Sequence, residues 1–349
     1  MLRAAAQARY TRVDGALRGW SSGGLGAPTD LATPLQMRGD RAGGWLVSHR
    51  TDAGGAMFRI AASGEKSVSP VPYAAIFDVA QDGRVWLVRD GALSVVTQLG
   101  EVKTLATLGA GAATVDGPLG SSPVGPVALI AAGKDTVYLL VETGVADWSA
   151  TPPASTVARS LRVITRAAAG QDLWNLQTVP LPADIGPLDV VSAIRVGPAD
   201  ELLLLLNQPL RQPVSPAQPA PGTTEWEYAA AASVRVLDRS SAWTTLATKP
   251  YTFTRRIVGT AMVATYAFDA RDLGVSPSGT VFVGGAGGIY QVDATRGWTA
   301  TATATPAGQP ADAIGRDGPV AAAGFAGAAQ LVPDATGLVF YDGQTCQVR

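Results

Sequence analysis

Along most of the chain, a short run of apolar residues leads into a tight turn, and a second apolar run follows the turn. Six copies of this pattern occur, at residues 37–47, 77–88, 129–140, 194–205, 273–283 and 331–340. The turns are rich in Gly, Asp, Pro and Ser, which suit a backbone that reverses its direction over a short distance. Each copy therefore predicts two strands joined as a hairpin.

Further segments of β-type follow each hairpin. A third strand is predicted at 57–60, 93–96, 161–164, 234–237, 289–292 and 345–348, and a fourth at 68–71, 102–108, 173–179, 243–246 and 298–303. The sixth copy has no fourth strand, whereas residues 8–13, ahead of the first copy, have strand character. The sequence therefore predicts an all-β fold: a single six-bladed β-propeller over residues 1–349, with four-stranded blades closed by the N-terminal strand 8–13. A two-sheet sandwich is the structural alternative.

Two segments carry a more specific motif. Asp-Gly-Pro at 116–118 is followed by Val-Gly-Pro at 124–126 ahead of one hairpin, and Asp-Gly-Pro at 317–319 is followed by Phe-Ala-Gly at 325–327 ahead of another. This arrangement resembles the NHL-repeat family, and the resemblance implies a β-propeller. Asp caps the local backbone, Gly permits a positive φ and Pro fixes the next φ. We interpret Asp-Gly-Pro as structural, turning the chain from an outer strand back towards the axis.

Composition excludes several classes of partner and site. With 27 basic and 28 acidic residues the net charge is −1, so no overall field attracts nucleic acid. The single cysteine, Cys346, excludes an internal disulfide and a thiolate metal cluster, and we interpret it as a small core residue. No apolar run is long enough for membrane insertion, and the N-terminus lacks the apolar stretch of a secretory signal. We expect a virion or an extracellular assembly rather than the cytoplasm.

The predicted innermost strands offer little chemistry. Arg38 and Asp78 are expected to face each other from neighbouring blades, and we interpret them as a structural ion pair. The only histidine, His49, is expected in a solvated loop, and residues 284–288 are expected to form a glycine-rich turn. Calcium requires six to eight oxygen ligands, and these strands carry too few acids in register. The sequence predicts no catalytic residue, no metal site and no cofactor.

The longest insertions are expected on one face of the propeller. They are the predicted links 142–158, 207–230 and 248–269, and functional residues are often found on such loops. The predicted binding residues are Trp148, Arg211, Trp226, Tyr228, Tyr251 and Arg255. The alternative is that these loops only pack on the rim.

Two functions remain open from the sequence. The main prediction is a non-catalytic interaction or structural module of a larger assembly, such as a virion tail or a surface appendage. It would bind protein partners or a glycan through the loop face. The alternative is a secreted or periplasmic propeller enzyme acting on sugars or lactones.

Overall fold

The computed structural model describes most of the chain, and every element in the described part is a β-strand. The described residues are 16–17, 20–21, 34–40, 43–51, 54–61, 66–109, 115–150, 152–167, 173–213, 225–258, 261–266, 268–303, 318–319, 328–333, 337–342 and 347–348. Within them, no helix is long and apolar enough to cross a membrane.

The strands follow one another closely along the chain. The first ten are β1 (Ala16–Leu17), β2 (Trp20–Ser21), β3 (Pro34–Gly39), β4 (Trp45–Thr51), β5 (Gly54–Ile60), β6 (Lys66–Val68), β7 (Ile76–Val79), β8 (Val85–Arg89), β9 (Ala92–Val96) and β10 (Val102–Thr107). The next ten are β11 (Gly117–Pro118), β12 (Val127–Ala132), β13 (Thr136–Thr143), β14 (Ala146–Asp147), β15 (Ala154–Ser155), β16 (Ala158–Arg166), β17 (Trp174–Val179), β18 (Val190–Val196), β19 (Leu202–Pro213) and β20 (Glu225–Leu237). The last ten are β21 (Trp243–Val258), β22 (Ala261–Tyr266), β23 (Ala270–Val275), β24 (Val281–Gly285), β25 (Gly288–Asp293), β26 (Gly297–Thr303), β27 (Gly318–Pro319), β28 (Ala328–Pro333), β29 (Leu338–Asp342) and β30 (Gln347–Val348).

These strands form antiparallel sheets, and in the larger ones neighbours follow one another along the chain, except that β11 joins β17 and β2 joins β30. The larger sheets are β3-β4-β5-β6, β7-β8-β9-β10, β12-β13-β16-β17-β11, β18-β19-β20-β21-β22, β23-β24-β25-β26 and β28-β29-β30-β2. The innermost strands contact one another in the order β3, β7, β12, β18, β23 and β28, and β28 also contacts β3. Apolar clusters fill the space between neighbouring sheets, as where Trp86 meets Trp174 edge to face at 5.1 Å. The fold is therefore an all-β propeller with four-stranded blades.

The blade count differs from the prediction. Five blades are recognised, where the sequence predicted six. The sheet β28-β29-β30-β2 is the least complete, because β30 and β2 have two residues each. The predicted closing strand, 8–13, lies outside the described residues. The N-terminal segment that does pair with β30 is β2, with Trp20 opposite Val348.

Because the sheets are antiparallel, the links alternate between the two faces of the propeller. The links from the second to the third strand of a sheet, and from one sheet to the next, share a face that we call the link face. Each innermost strand begins at this face. In β3, β12, β18, β23 and β28 a β-bulge lies near that beginning, where one extra residue faces the second strand. Bulges of this kind bend a strand and redirect its side chains.

The predicted long links are mostly strands, which corrects the sequence analysis. Residues 207–213 and 225–230 extend β19 and β20, and residues 248–258 extend β21, which then pairs with β22. The register of β20 with β21 is maintained from Leu237 opposite Trp243 to Glu225 opposite Arg256. Residues 207–213, 225–232, 249–258 and 261–266 thus form the end of this sheet on the link face, which we call the arm.

Asp-Gly-Pro at 116–118 does not act as a simple turn towards the axis. Gly117 and Pro118 form β11, which pairs with β17 as an added edge strand. Asp116 accepts a hydrogen bond from the Thr178 hydroxyl at 2.8 Å, and this bond lowers the pKa of its carboxyl. This contact agrees with the structural interpretation of Asp116, which stays a prediction, and the motif lies at the outer edge of the sheet.

Candidate functional site at the propeller axis

The innermost strand of each sheet has one edge without a neighbouring strand in its own sheet. Backbone N–H groups on such an edge need other partners when they are buried. Along much of the described ring, acidic and amide side chains from adjacent sheets supply those partners. The result is a band of buried polar residues around the axis: Gln36, Arg38, Asp78, Arg195 and Asp272.

Asp78, on β7, joins the innermost strands on either side of it. One carboxylate oxygen lies 3.2 Å from Nε of Arg38 on β3, and the other accepts a hydrogen bond from the backbone N–H of Ala132 on β12 at 2.8 Å. The ion pair expected between Arg38 and Asp78 is therefore present. Both side chains are about nine-tenths buried, at 8% and 10% exposure. Through these two contacts Asp78 links its own sheet to the sheets on either side.

Asp272, on β23, makes the same kind of junction on the other side of the ring. Its carboxylate lies 2.5 Å from Nη2 of Arg195 on β18 and accepts the backbone N–H of Leu331 on β28 at 2.8 Å. Asp272 was not among the predicted residues, because the prediction rested on one equivalent position in each innermost strand. Asp272 comes two residues before that position, directly after the bulge of β23. Comparison of alternate positions along each innermost strand would have found it.

Two glutamines extend the band towards the link face. The side-chain carbonyl of Gln36 accepts the backbone N–H of Phe77 at 2.9 Å, and that of Gln330 accepts the N–H of Met37 at 3.4 Å. Both residues directly follow the bulges of their strands. They were also missed by the sequence analysis, for the same reason as Asp272.

The two arginines keep donors that a ligand can use. Nη1 of Arg38 donates to the Met37 carbonyl at 2.7 Å, and Nη1 of Arg195 donates to the Ile194 carbonyl at 2.6 Å. Nη2 of Arg38 and Nε of Arg195 have no hydrogen-bond partner within the described part of the chain. Desolvation by burial and the charge of Arg195 lower the pKa of Arg38 to about 10, against the opposing effects of Asp78 and Asp272. The two guanidinium groups thus act on each other across the axis.

The structure also places the histidine and the glycine-rich segment that the sequence singled out. His49 lies within β4 rather than in a loop, and its ring is half-buried 6.1 Å from the Phe58 ring, edge-on. Of the residues expected to form a glycine-rich turn, only 286–287 do so, because residues 284–285 end β24 and residue 288 begins β25. Cys346 lies outside the described residues. Among those residues, no group of three or more His, Cys, Asp or Glu side chains is placed to hold a metal ion.

Several of the predicted binding residues are brought together by the arm. Trp226 lies opposite Arg255, Tyr228 opposite Phe253 and Ala230 opposite Tyr251, because β20 and β21 pair in that register. The Arg255 guanidinium lies 4.7 Å from the Trp226 ring, and the Phe253 ring is 6.0 Å from both Trp148 and Tyr228.

Arg255 links the arm to the neighbouring sheet by hydrogen bonds. It is fully buried, its Nε donates to the Trp148 carbonyl at 2.8 Å, and its Nη2 donates to the carbonyls of Ser149 and Ala150. It is therefore a structural anchor rather than an exposed one. Trp148, Trp226, Tyr228 and Tyr251 are half-buried. Arg211 lies in β19, and its side chain is outside the described part.

Comparison with known proteins gives little beyond the fold. No family model matches the chain, and no curated protein matches its sequence. The NHL resemblance therefore stays a prediction. A solved structure of similar fold is an oligogalacturonate lyase from Vibrio parahaemolyticus, with 9% identity, a TM-score of 0.36, and coverage of 80% of this chain and 81% of that one.

This comparison corrects the main functional prediction. The neighbour carries the name of an enzyme, which runs against the prediction of a non-catalytic virion or appendage module, and that prediction is withdrawn.

Proposed function

We propose that this protein is a propeller enzyme acting on sugars or lactones at its axis, with Arg38 and Arg195 as the groups that bind the reacting carbonyl or carboxylate. The observation that supports this is the pair of buried guanidinium groups, each with one donor nitrogen free of any described partner. Their charges are close enough for Arg195 to lower the pKa of Arg38.

Such a pair suits oxygen atoms on which negative charge develops. When water adds to the carbonyl carbon of a lactone, the carbonyl oxygen gains charge. The ring C–O bond then breaks, and one proton of that water ends on the departing ring oxygen, which gives a hydroxy acid. Fixed donors in a water-poor site stabilise that charge more strongly than donors in bulk water. Asp78 and Asp272 act as positioning residues, because each holds one arginine and one backbone N–H.

The test is turnover of a defined lactone, δ-gluconolactone, followed by acid release at constant pH. We expect Arg38→Met and Arg195→Met each to lower kcat/KM by about a hundredfold or more, as for the loss of one oxyanion donor. Arg59→Met is the matched control, because Arg59 pairs with Asp40 and its side chain is 44% exposed. Turnover that survives both axial substitutions would contradict the proposal.

The arm belongs to this proposal as a binding surface. Trp148, Trp226 and Tyr228 lie together on the link face, where each innermost strand begins, and aromatic residues of this kind are enriched where proteins bind partners. A glycan or protein partner bound there would lie on the same face as the opening of the axis.

The proposal also includes the organisation of the fold. A single domain over residues 1–349 would have a sixth blade built from β28, β29 and β30, completed by the N-terminal segment. The pairing of β2 with β30 and the contact of β28 with β3 support this arrangement.

A further inference from the structure

A cleft of about 560 Å³ opens between the first two sheets. Its walls come from Gly55 at the start of β5, from Tyr73 in the link between the sheets, and from Val88, Arg89 and Asp90 at the end of β8. These are links from the second to the third strand and from sheet to sheet, so the cleft lies on the link face. Its volume is within the roughly 300–1,000 Å³ range of small-molecule sites.

One wall is an aromatic ring that packs against the backbone of a glycine. A Cβ atom on Gly55 would overlap the Tyr73 ring, so the ring can lie against the backbone only because residue 55 has no side chain. Tyr73 is half-buried, which leaves part of it exposed to the cleft that it lines. Ala74, Ala75 and Val88 add further apolar surface.

Another wall is an exposed polar pair at a hairpin turn. Asp90 and Gly91 have φ values of 51° and 71°, as a two-residue type I′ hairpin turn requires. The turn holds Asp90 2.8 Å from Nε of Arg89, and the two side chains are 80% and 48% exposed. Nη1 and Nη2 of Arg89 have no partner among the described residues, so a planar set of donors stands beside a carboxylate acceptor.

We infer that this cleft binds one sugar unit of a saccharide substrate. An aromatic ring matches the apolar C–H face of a pyranose, and a neighbouring guanidinium and carboxylate match its hydroxyl groups as donor and acceptor. The inference rests on the proposed function. It narrows the substrate class to saccharides of more than one unit, in which one unit binds in the cleft while another part of the molecule reacts at the axis. Gln36, which accepts the N–H of Phe77, connects the strand behind the cleft to the axial band.

The first experiment is binding to an array of neutral and uronic-acid oligosaccharides, followed by titration with the oligosaccharide retained most strongly. We expect Arg89→Met and Tyr73→Ala each to raise the Kd by about tenfold or more, the effect of losing a hydrogen bond to a charged group or a stacked ring. The matched control is Arg296→Met, which removes the exposed pair of Arg296 with Asp293 on the opposite face. Its Kd should equal that of the parent.

The outcomes separate the two proposals. If the parent retains no oligosaccharide, or if Arg89→Met and Tyr73→Ala bind as tightly as the parent, the cleft inference is wrong. If binding depends on Arg89 but δ-gluconolactone is not turned over, the inference stands and the axial chemistry is wrong. Because Tyr73→Ala leaves a gap beside Gly55, Tyr73→Phe is the second variant, and it should keep the ring and most of the affinity.

Discussion

At the scale of single residues, two aspartates at the axis each bind one arginine side chain and one backbone N–H group. Asp78 binds Arg38 and the N–H of Ala132, and Asp272 binds Arg195 and the N–H of Leu331. A buried ion pair gains little over an apolar pair, but removing one partner leaves an uncompensated charge. The stability of the axis therefore depends on both members of each pair.

Arg38→Met should lower the free energy of unfolding by about 3–5 kcal/mol, because it leaves Asp78 buried without its cation. The double variant Arg38→Met/Asp78→Asn should recover part of this loss, since an Asn oxygen still accepts the N–H of Ala132. Urea unfolding of both variants measures the difference. A double variant no more stable than the single one would show that the charge of Asp78 is not the cause.

The pKa of Arg38 can be measured independently of the free energy of unfolding. Burial and Arg195 lower this pKa to about 10, so the unfolded chain holds this proton more tightly than the folded protein. The cost of burying the cation is therefore present below about pH 10 and is relieved as the pH rises from 10 towards the higher pKa of the unfolded chain. A ¹³C NMR titration of the Arg38 Cζ should show the lowered pKa.

Two variants check the causes of that shift. Asp78→Asn should lower the pKa of Arg38 further, because the carboxylate raises it, and Arg195→Met should raise it, because a neighbouring positive charge is lost. Shifts in the opposite directions would mean that these two charges do not control Arg38.

At the scale of elements, the arm was the least predictable part of the chain. Pro209 and Pro213 favoured a loop, because proline cannot donate to a sheet. In the structure Pro209 lies where the register of β19 against β20 is irregular, between Gln208 and Gln212, so the strand accommodates it. The alternation of Trp226, Tyr228 and Ala230 was visible in the sequence, but their pairing with Arg255, Phe253 and Tyr251 depends on the register of two distant segments.

Arg255→Met should release the arm from the Trp148 segment. Three backbone carbonyls of half-buried or exposed residues lose their donor, and the contacts between the arm and the Trp148 segment weaken. We expect faster hydrogen exchange in residues 225–228 and 253–258, measured by mass spectrometry. Arg256→Met is the control, because Arg256 is exposed on the other side of β21, and exchange there should match the parent.

The extent of the arm can be tested by two replacements with a Gly-Ser linker. Replacing residues 214–224 leaves β19 and β20 intact, so the melting temperature should stay within about 2 °C of the parent. Replacing residues 207–224 removes the end of β19 together with Asn207, whose Nδ2 donates to the Ala270 carbonyl at 2.7 Å. This replacement should lower the melting temperature. Equal melting of the two variants would mean that residues 207–213 do not stabilise the arm.

At the scale of the whole molecule, the repeat of hairpin and outer strands was sufficient to predict an all-β propeller with four-stranded blades. The hairpins at 77–88 and 194–205 became β7-β8 and β18-β19 with the expected turns, because apolar alternation and turn residues are local properties. Blade number and closure depend on contacts between the two ends of the chain. No local pattern specifies those contacts, so the sequence could not settle them.

Closure is testable with two truncations. Deleting residues 1–21 removes β2 and leaves β30 as an edge, so the melting temperature should fall by several degrees and self-association should increase. Deleting residues 1–14 removes the predicted closing strand 8–13 but keeps β2. Calorimetry and light scattering compare both with the parent. If only the longer truncation is destabilised, β2 closes the propeller and the prediction for 8–13 is wrong. If neither is destabilised, the N-terminal segment does not complete a blade, and the proposed closure is wrong.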